Sequence, residues 1–373
     1  MKDLQEILKA YESVKRAGSK AKLATLVKVK GSAFRRPGAR MLICDDGTSV
    51  GALSSGCLEA DVIERAKKTM ESHDSITVTY DMTSPQNDVW GLNLGCNGII
   101  QILLESLPLS ARSPHLTFLW ECVSSGKSGA IASVFRVDGE LKAAVGTHLF
   151  LADDGKITED VRNPALSAAL TEDCLNVLRS KSSCNKEYRF TEGVVEALIE
   201  FIRPPLPLFI FGAGAEAIAL ARMAKDLGWT VIVVDHRPAF INQARFASAD
   251  RFILARPEEV AEKITLKADA VAVVLTHDIS HDLDLLRTLL PSEVSYVGLL
   301  GPARRAEQLL ETLRETGFTP TPRQLSRFHA PVGLDIGAES PEEIALSILS
   351  EIQAFLNGRS GGFLRNHAGP IHW

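Results

Sequence analysis

The sequence predicts a two-part α/β chain, an N-terminal α+β half followed by a half built on a parallel sheet, and three observations point there. The chain has 373 residues, more than one ordinary domain holds. From Leu206 onward, short apolar runs (LFIF, TVIVVD, RFILA, DAVAVVLT, SYVGLL) alternate with helical stretches such as AEAIALARMAKDLG and ARRAEQLLETLRETG, the pattern of parallel strands covered on both faces. Ahead of that change stands Arg203-Pro204-Pro205, whose proline pair reads as a linker and sets the domains at 1–204 and 205–373.

Within the first domain, MKDLQEILKAYESVKRAG reads as an amphipathic helix with Leu4, Ile7, Leu8, Tyr11 and Val14 on one face. KLATLVKVK alternates as a strand does, GSAFRRPGA is rich in breakers, and RMLICDDGTSVGAL reads as a hairpin with Asp46-Gly47 at its tip. The loop SSGC runs into a helix, CLEADVIERAKKTMES, with Leu58, Val62, Ala66 and Met70 at helical spacing. SITVTYDM and IIQILLE are strands on either side of the loop TSPQNDVWGLNLGCNG. Residues 108–205 are less legible: two or three strands joined by Asp-Gly turns, then a helix around 163–180. No internal repeat stands out. In the second domain, Ser340-Pro341-Glu342-Glu343 is a capping box that opens the last long helix, which runs to about Asn357.

Composition narrows the function. Hydrophobic residues at 45% and charged ones at 23% suit an ordinary soluble protein. A net charge of −5 leaves no electrostatic footprint for nucleic acid. The sequence has no apolar run of roughly 18 residues, and its first helix lacks the core and cleavage site of a signal peptide, so a cytoplasmic protein without a membrane span is expected. The six cysteines, Cys44, Cys57, Cys96, Cys122, Cys174 and Cys184, include no CxxC pair, which argues against a zinc or iron–sulfur site of the usual spacing.

Two sets of residues carry chemistry. FGAGAEA places Gly212, Gly214 and Ala217 in a G-x-G-x-x-A arrangement between a strand and a helix: a tight turn, a close approach for phosphate, and close helix packing. Asp235, at the end of the next strand, stands where an acid accepts from a ribose hydroxyl, so the domain reads as Rossmann-like and NAD(P) as one candidate ligand. Glu216 is awkward there, since its carboxylate opposes a pyrophosphate. THDISHD puts His277 and Asp278 at the carboxyl edge of the same sheet, although Thr276 and Asp278 also suit a helix cap. His236 and Arg237 face that edge too. The other set is the cysteine loops. Cys57 precedes a helix whose dipole favours thiolate, with Glu59 opposing the effect, and Cys96 lies between Gly95 and Gly98. Soft thiolates suit a soft metal or a sulfur-bearing cofactor, and Arg35 and Arg36 suit phosphate; either thiol can equally be a small buried residue in a turn.

GSAFRRPGARML, SSGCLEADV, YDMTSPQNDVWGLNLGCNGIIQILLE, FGAGAEAIALARMAKDLGWTVIVVDHRP, THD, YVGLLGPARR and APVGLDIGAESPEEIALSILSEI resemble, in order, the signature blocks of the XdhC/CoxI family of accessory proteins for xanthine dehydrogenase and related molybdenum hydroxylases. The resemblance leaves mainly residues 108–205 unmatched. It implies an N-terminal XdhC/CoxI domain before a Rossmann-like one. It further implies a protein that binds the molybdenum cofactor (molybdopterin, or a nucleotide form), supports exchange of an oxo for a sulfido ligand, and delivers the cofactor to an apo molybdenum hydroxylase. A cysteine desulfurase as sulfur donor and a homodimer belong to the same expectation. Gly56, Cys57 and Glu59 match the family's Gly-Cys-Leu-Glu motif, and Gly95, Cys96 and Asn97 its Gly-Cys-Asn-Gly motif, which makes the two cysteines candidate molybdenum contacts. Ser55 and Asn93 stand where glycine is common, and Ala215-Glu216 replaces a more usual His-Val. A maturation factor is expected rather than a complete hydroxylase, because two [2Fe–2S] clusters need eight cysteines and the chain has six. The competing readings are an NAD(P)-dependent oxidoreductase and an assembly scaffold that holds no cofactor.

Overall fold

The structure is a computed structural model that describes residues 1–373 apart from 32, 57, 83–97, 109–111 and 369–373. Two compact units divide between Pro204 and Pro205.

In the first unit, α1 (Lys2–Ala17) buries Ile7, Leu8 and Tyr11, each worth roughly 1.5–3 kcal/mol when sealed from water, and stops where Gly18 turns left-handed. Then come β1 (Ala21–Gly31), β2 (Arg40–Cys44), β3 (Ser49–Gly51), α2 (Glu59–Lys68), β4 (Ile76–Asp81) and β5 (Gly98–Ser106), paired antiparallel in the order β3-β2-β1-β5-β4. The same series follows again: α3 (Pro114–Ser125), β6 (Gly129–Gly139), β7 (His148–Ala152), β8 (Ile157–Glu159), α4 (Pro164–Ser180), β9 (Cys184–Phe190) and β10 (Gly193–Ile202), in the order β8-β7-β6-β10-β9. The expectation of no internal repeat is therefore corrected. The unit is a structural duplication, and the less legible segment is its second copy.

The two copies match residue by residue. Thr25 on β1 faces Arg40 on β2, and Ser133 on β6 faces His148 on β7. Each long strand bulges at its seventh residue, Val27 in β1 and Phe135 in β6. A bulge turns a carbonyl out of its own ladder, and each is satisfied from the other copy: Asn185 Nδ2 donates to Val27 O at 2.8 Å, and Thr77 Oγ1 to Phe135 O at 2.5 Å. Val27, Phe135, Leu103 and Leu198 then pack as one small buried cluster.

The second unit comprises β11 (Pro207–Phe211), α5 (Ala215–Asp226), β12 (Thr230–Asp235), β13 (Arg251–Leu254), α6 (Val260–Lys263), β14 (Val271–Val274), α7 (Ile279–Leu289), β15 (Tyr296–Leu299), α8 (Ala303–Glu315), α9 (Pro322–Leu325), β16 (Phe328–His329) and α10 (Pro341–Leu356). Its six strands are parallel, in the order β13-β12-β11-β14-β15-β16. Alternate residues of β11 enter opposite cores: Leu208 and Ile210 pack with α5 and α10, Phe209 and Phe211 with α7 and α8. Strand order reverses between β11 and β14, and a crevice at the carboxyl ends follows from that reversal. No described helix is long and apolar enough to cross a membrane.

Candidate functional site

At that reversal the carboxyl ends of β11, β12 and β14 enclose a pocket of about 350 Å³, lined among others by Gly212, Asp235, His236, Arg237, Thr276, His277, Asp278 and His281. Gly212 has φ +109°, and a Cβ there would meet the Leu275 carbonyl oxygen at 2.5 Å, so sterics require glycine. Gly214 is the N-cap of α5 and offers no side-chain cap, which leaves amide N–H groups of the first turn for a ligand. His277 continues the edge with φ +60°, an uncommon conformation for a residue with a side chain. The same histidine lines a more open hollow of about 650 Å³ on the far side, between the end of β15 and the loop before α10.

The acids of this edge are largely committed. Asp235 is nearly buried, and Arg237 closes on it with its backbone N–H at 2.8 Å, Nε at 2.9 Å and Nη2 at 2.8 Å. Burial alone would raise the Asp235 pKa; the Arg237 hydrogen bonds and charge outweigh it and hold the carboxyl below the usual range. The residue read as a free ribose acceptor is thus occupied by a guanidinium, which itself lies over the Phe240 ring at 4.0 Å. Asp278 caps α7 by accepting from the His281 N–H at 3.0 Å. Glu216 sits in the first turn of α5 with Oε2 3.5 Å from His277 Nε2. A Cβ on Gly214 would come within 3.0 Å of that oxygen, so the glycine loop faces a carboxylate as well as amides.

Asp282, Arg305 and His281 had no role in the sequence reading. Asp282 is sealed in the fold; its Oδ1 takes the Thr276 hydroxyl at 2.5 Å, and its Oδ2 takes Arg305 Nε at 2.8 Å and Nη2 at 2.5 Å. It pins the 276–278 loop from beneath. No local signal ties Arg305 to Asp282.

In the first unit, Arg35 pairs with Asp3 at 2.9 Å and Arg36 is exposed. Gly56 is left-handed and exposed, at φ +109°. Glu59 reaches back over its own loop, accepting from the N–H groups of Leu53, Ser54 and Leu58 and from the Ser54 hydroxyl at 2.5 Å. Its carboxylate folds the turn that leads into α2. Cys57, Gly95, Cys96 and Asn97 lie outside the described residues. The other four cysteines offer poor nucleophiles or ligands: Cys44, Cys122 and Cys174 are buried, and Cys184 is half-buried. Burial pushes Cys122 and Cys174 up to about 12 and raises Cys184 as well. All six belong to the first unit, so the second unit brings no thiol of its own.

The signature of the XdhC and CoxI family matches residues 14–81, and that of the XdhC Rossmann domain residues 208–352. A protein of Bacillus subtilis described as a probable xanthine dehydrogenase subunit is 36% identical over 332 residues, 89% of this chain and 92% of that one. The molybdenum cofactor insertion chaperone PaoD of Escherichia coli is 26% identical over 350 residues, 94% and 88% of the two chains. A solved structure, described as a xanthine dehydrogenase from Bacillus halodurans, superposes with a TM-score of 0.76 at 29% identity, covering 95% of this chain and 97% of that one.

Proposed function

The chain belongs to the XdhC and CoxI family, and from that premise we propose that it is an accessory factor that binds the molybdenum cofactor and hands it to an apo molybdenum hydroxylase. The observation that carries the reading is the crevice at the reversal of the parallel sheet, with a glycine loop and free helix amides on one wall and His277 between two hollows. An elongated ligand with a pterin or nucleotide at one end and a phosphate at its middle suits two hollows that share one wall. The relative named as a molybdenum cofactor insertion chaperone supports the identity of the cargo.

The ribose contact that a dinucleotide coenzyme would make with Asp235 is already taken at this edge. Asp235 is held by Arg237, and Glu216 faces the loop where a bare pyrophosphate would lie. A carboxylate at that place accepts from amino or hydroxyl groups, which pterins and sugars provide. Sulfur contact with the metal falls, by elimination among the six cysteines, to Cys57 or Cys96. Either can carry sulfur from a cysteine desulfurase as a persulfide on its thiol, whose outer sulfur becomes a sulfido ligand when a thiol reductant supplies two electrons and the displaced oxo ligand leaves as water, and a homodimer is part of the same proposal.

The test is oxidative conversion of the purified protein's pterin to its fluorescent form, together with molybdenum analysis. Near-stoichiometric pterin in the wild type and its loss in a Gly212→Val chain supports the proposal. A wild-type protein that carries no pterin and takes none up refutes it. A Cys57→Ala chain that keeps full loading and transfer removes that thiol from the mechanism.

A further inference from the structure

In the first unit, the chain places three metal-ligand side chains together at the floor of a cavity of about 220 Å³: Glu105 on β5, His115 on α3 and His148 on β7. All three are more than nine-tenths buried, and one donor atom from each lies within 4.8 Å of the others. We propose that this cluster is a binding site for a divalent d-block cation of the zinc type, with the remaining coordination position open to the cavity.

Four observations carry the assignment. Glu105 Oε2 and His115 Nδ1 make no hydrogen bond although both are buried, and they stand 3.5 Å apart. Two ligands bound at 2.0–2.1 Å to a tetrahedral ion lie about 3.3 Å apart, close to this pair, while donor atoms of the set up to 4.8 Å apart must close and His148 Nε2 and Glu105 Oε1, at 2.5 Å, must part. The far nitrogen of each ring is already engaged: His148 Nδ1 with the Ser133 hydroxyl at 3.0 Å, His115 Nε2 with Arg40 Nη2 at 3.2 Å. The Ser133 hydroxyl can accept from His148 Nδ1–H and so orients that ring toward a metal, while Arg40, which only donates, fixes where the His115 ring lies; His148 Nε2 and His115 Nδ1 face inward. Among the described residues no lysine or arginine lines the cavity, whereas Glu159 and Asp160 do, and the Arg40 charge behind His115 is met by Glu200.

The duplication supplies the fourth observation. The position of Glu105 in the second copy is Glu200, and that of His148 in the first copy is Arg40. Arg40 and Glu200 form a buried two-point ion pair, at 2.9 and 2.5 Å. The carboxylate of the second copy, Glu200, is therefore met by a cation of the first, Arg40, whereas the equivalent carboxylate of the first copy, Glu105, meets two histidines of the second. On binding, the ion replaces the proton shared by His148 Nε2 and Glu105. The His115 ring keeps its one proton and moves it from Nδ1 to Nε2, Arg40 remaining on Glu200, and Glu105 meets one of the two charges of the ion.

The experiment uses the full chain, stripped of metal and titrated with Zn²⁺ against a chromophoric competitor, then with Co²⁺ by visible spectroscopy. One ion per chain is expected, with a Co²⁺ ligand field of nitrogen and oxygen donors, and an affinity reduced at least about 10- to 100-fold in Glu105→Gln and His148→Gln. No uptake by the wild type, or equal affinity in the variants, overturns the site. If a variant fails to fold, the wild-type Co²⁺ spectrum decides. A nitrogen–oxygen field that survives alkylation of the thiols supports the site, and thiolate charge transfer places the ion on cysteines and overturns it. The result is independent of whether the protein carries pterin.

Discussion

Asp282→Ala tests the floor of the parallel-sheet edge. The carboxylate is 1% exposed and anchors both Thr276 and Arg305, so its removal leaves a guanidinium and a hydroxyl without their acceptor. Deleting one partner of a sealed ion pair costs about 3–5 kcal/mol. The Arg305 side chain is 18% exposed, so water recovers part of that, and about 3 kcal/mol remains. For a unit of this size each kcal/mol lowers Tm by roughly 2–4 °C, which predicts a fall of about 6–12 °C. Calorimetry or circular dichroism on Asp282→Ala, Arg305→Ala and the double variant reads it. The two single losses should overlap, leaving the double variant less destabilised than their sum. A single variant within about 1 kcal/mol of wild type, or strict additivity, refutes the anchoring role.

Other outcomes follow from the same geometry. Gly212→Ala forces a Cβ against the Leu275 carbonyl at a left-handed φ and should cost roughly 1–3 kcal/mol in thermal denaturation, with loss of ligand at the edge. Glu216→Gln removes a negative charge from the glycine loop; calorimetric titration with AMP should show binding tighter by about fivefold, the effect of about 1 kcal/mol at short range in a wet site. Glu351 accepts from the Tyr296 hydroxyl at 2.6 Å, His329 Nδ1 at 2.9 Å and the Gly333 N–H at 2.7 Å. Burial opposes its ionisation, but these donors outweigh it and hold its pKa below the ordinary value. Its stabilisation is thus complete above about pH 4.3, the unfolded value, and is lost as pH falls through the lower folded one. A Glu351→Gln chain should show a flatter decline of Tm between neutral pH and pH 3.

Local signals were legible in the sequence. The apolar stripe of α1, the Asp46-Gly47 hairpin and the Gly212 loop each act within a few residues, and the structure has each in place. The alternation after Leu206 revealed the parallel sheet because each strand is buried on both faces and must be apolar throughout. The duplication was hard to read because most residue identities are lost, Arg40 against His148 and Val27 against Phe135, and what persists in the sequence is chiefly turn glycines, Gly18 with Gly126, Gly31 with Gly139, Gly38 with Gly146 and Gly47 with Gly155. The Asp282–Arg305 anchor and the Glu105–His148 contact join residues far apart in the chain, and no periodicity encodes them. Asp235 was read as a free acceptor since its neighbour Arg237 gave no sign of folding back onto it. The cysteine loops remain expectations from sequence, as Cys57 and Cys96 lie outside the described residues.

The central claim is that this chain holds the molybdenum cofactor and passes it on. The most direct measurement mixes the cofactor-loaded protein with a cofactor-free molybdenum hydroxylase and follows substrate oxidation, with pterin tracked on both proteins. The account predicts that activity appears as pterin leaves this chain, in proportion to the amount moved. Activity from this chain alone, or a loaded chain that leaves the hydroxylase inactive while free cofactor activates it, contradicts the account.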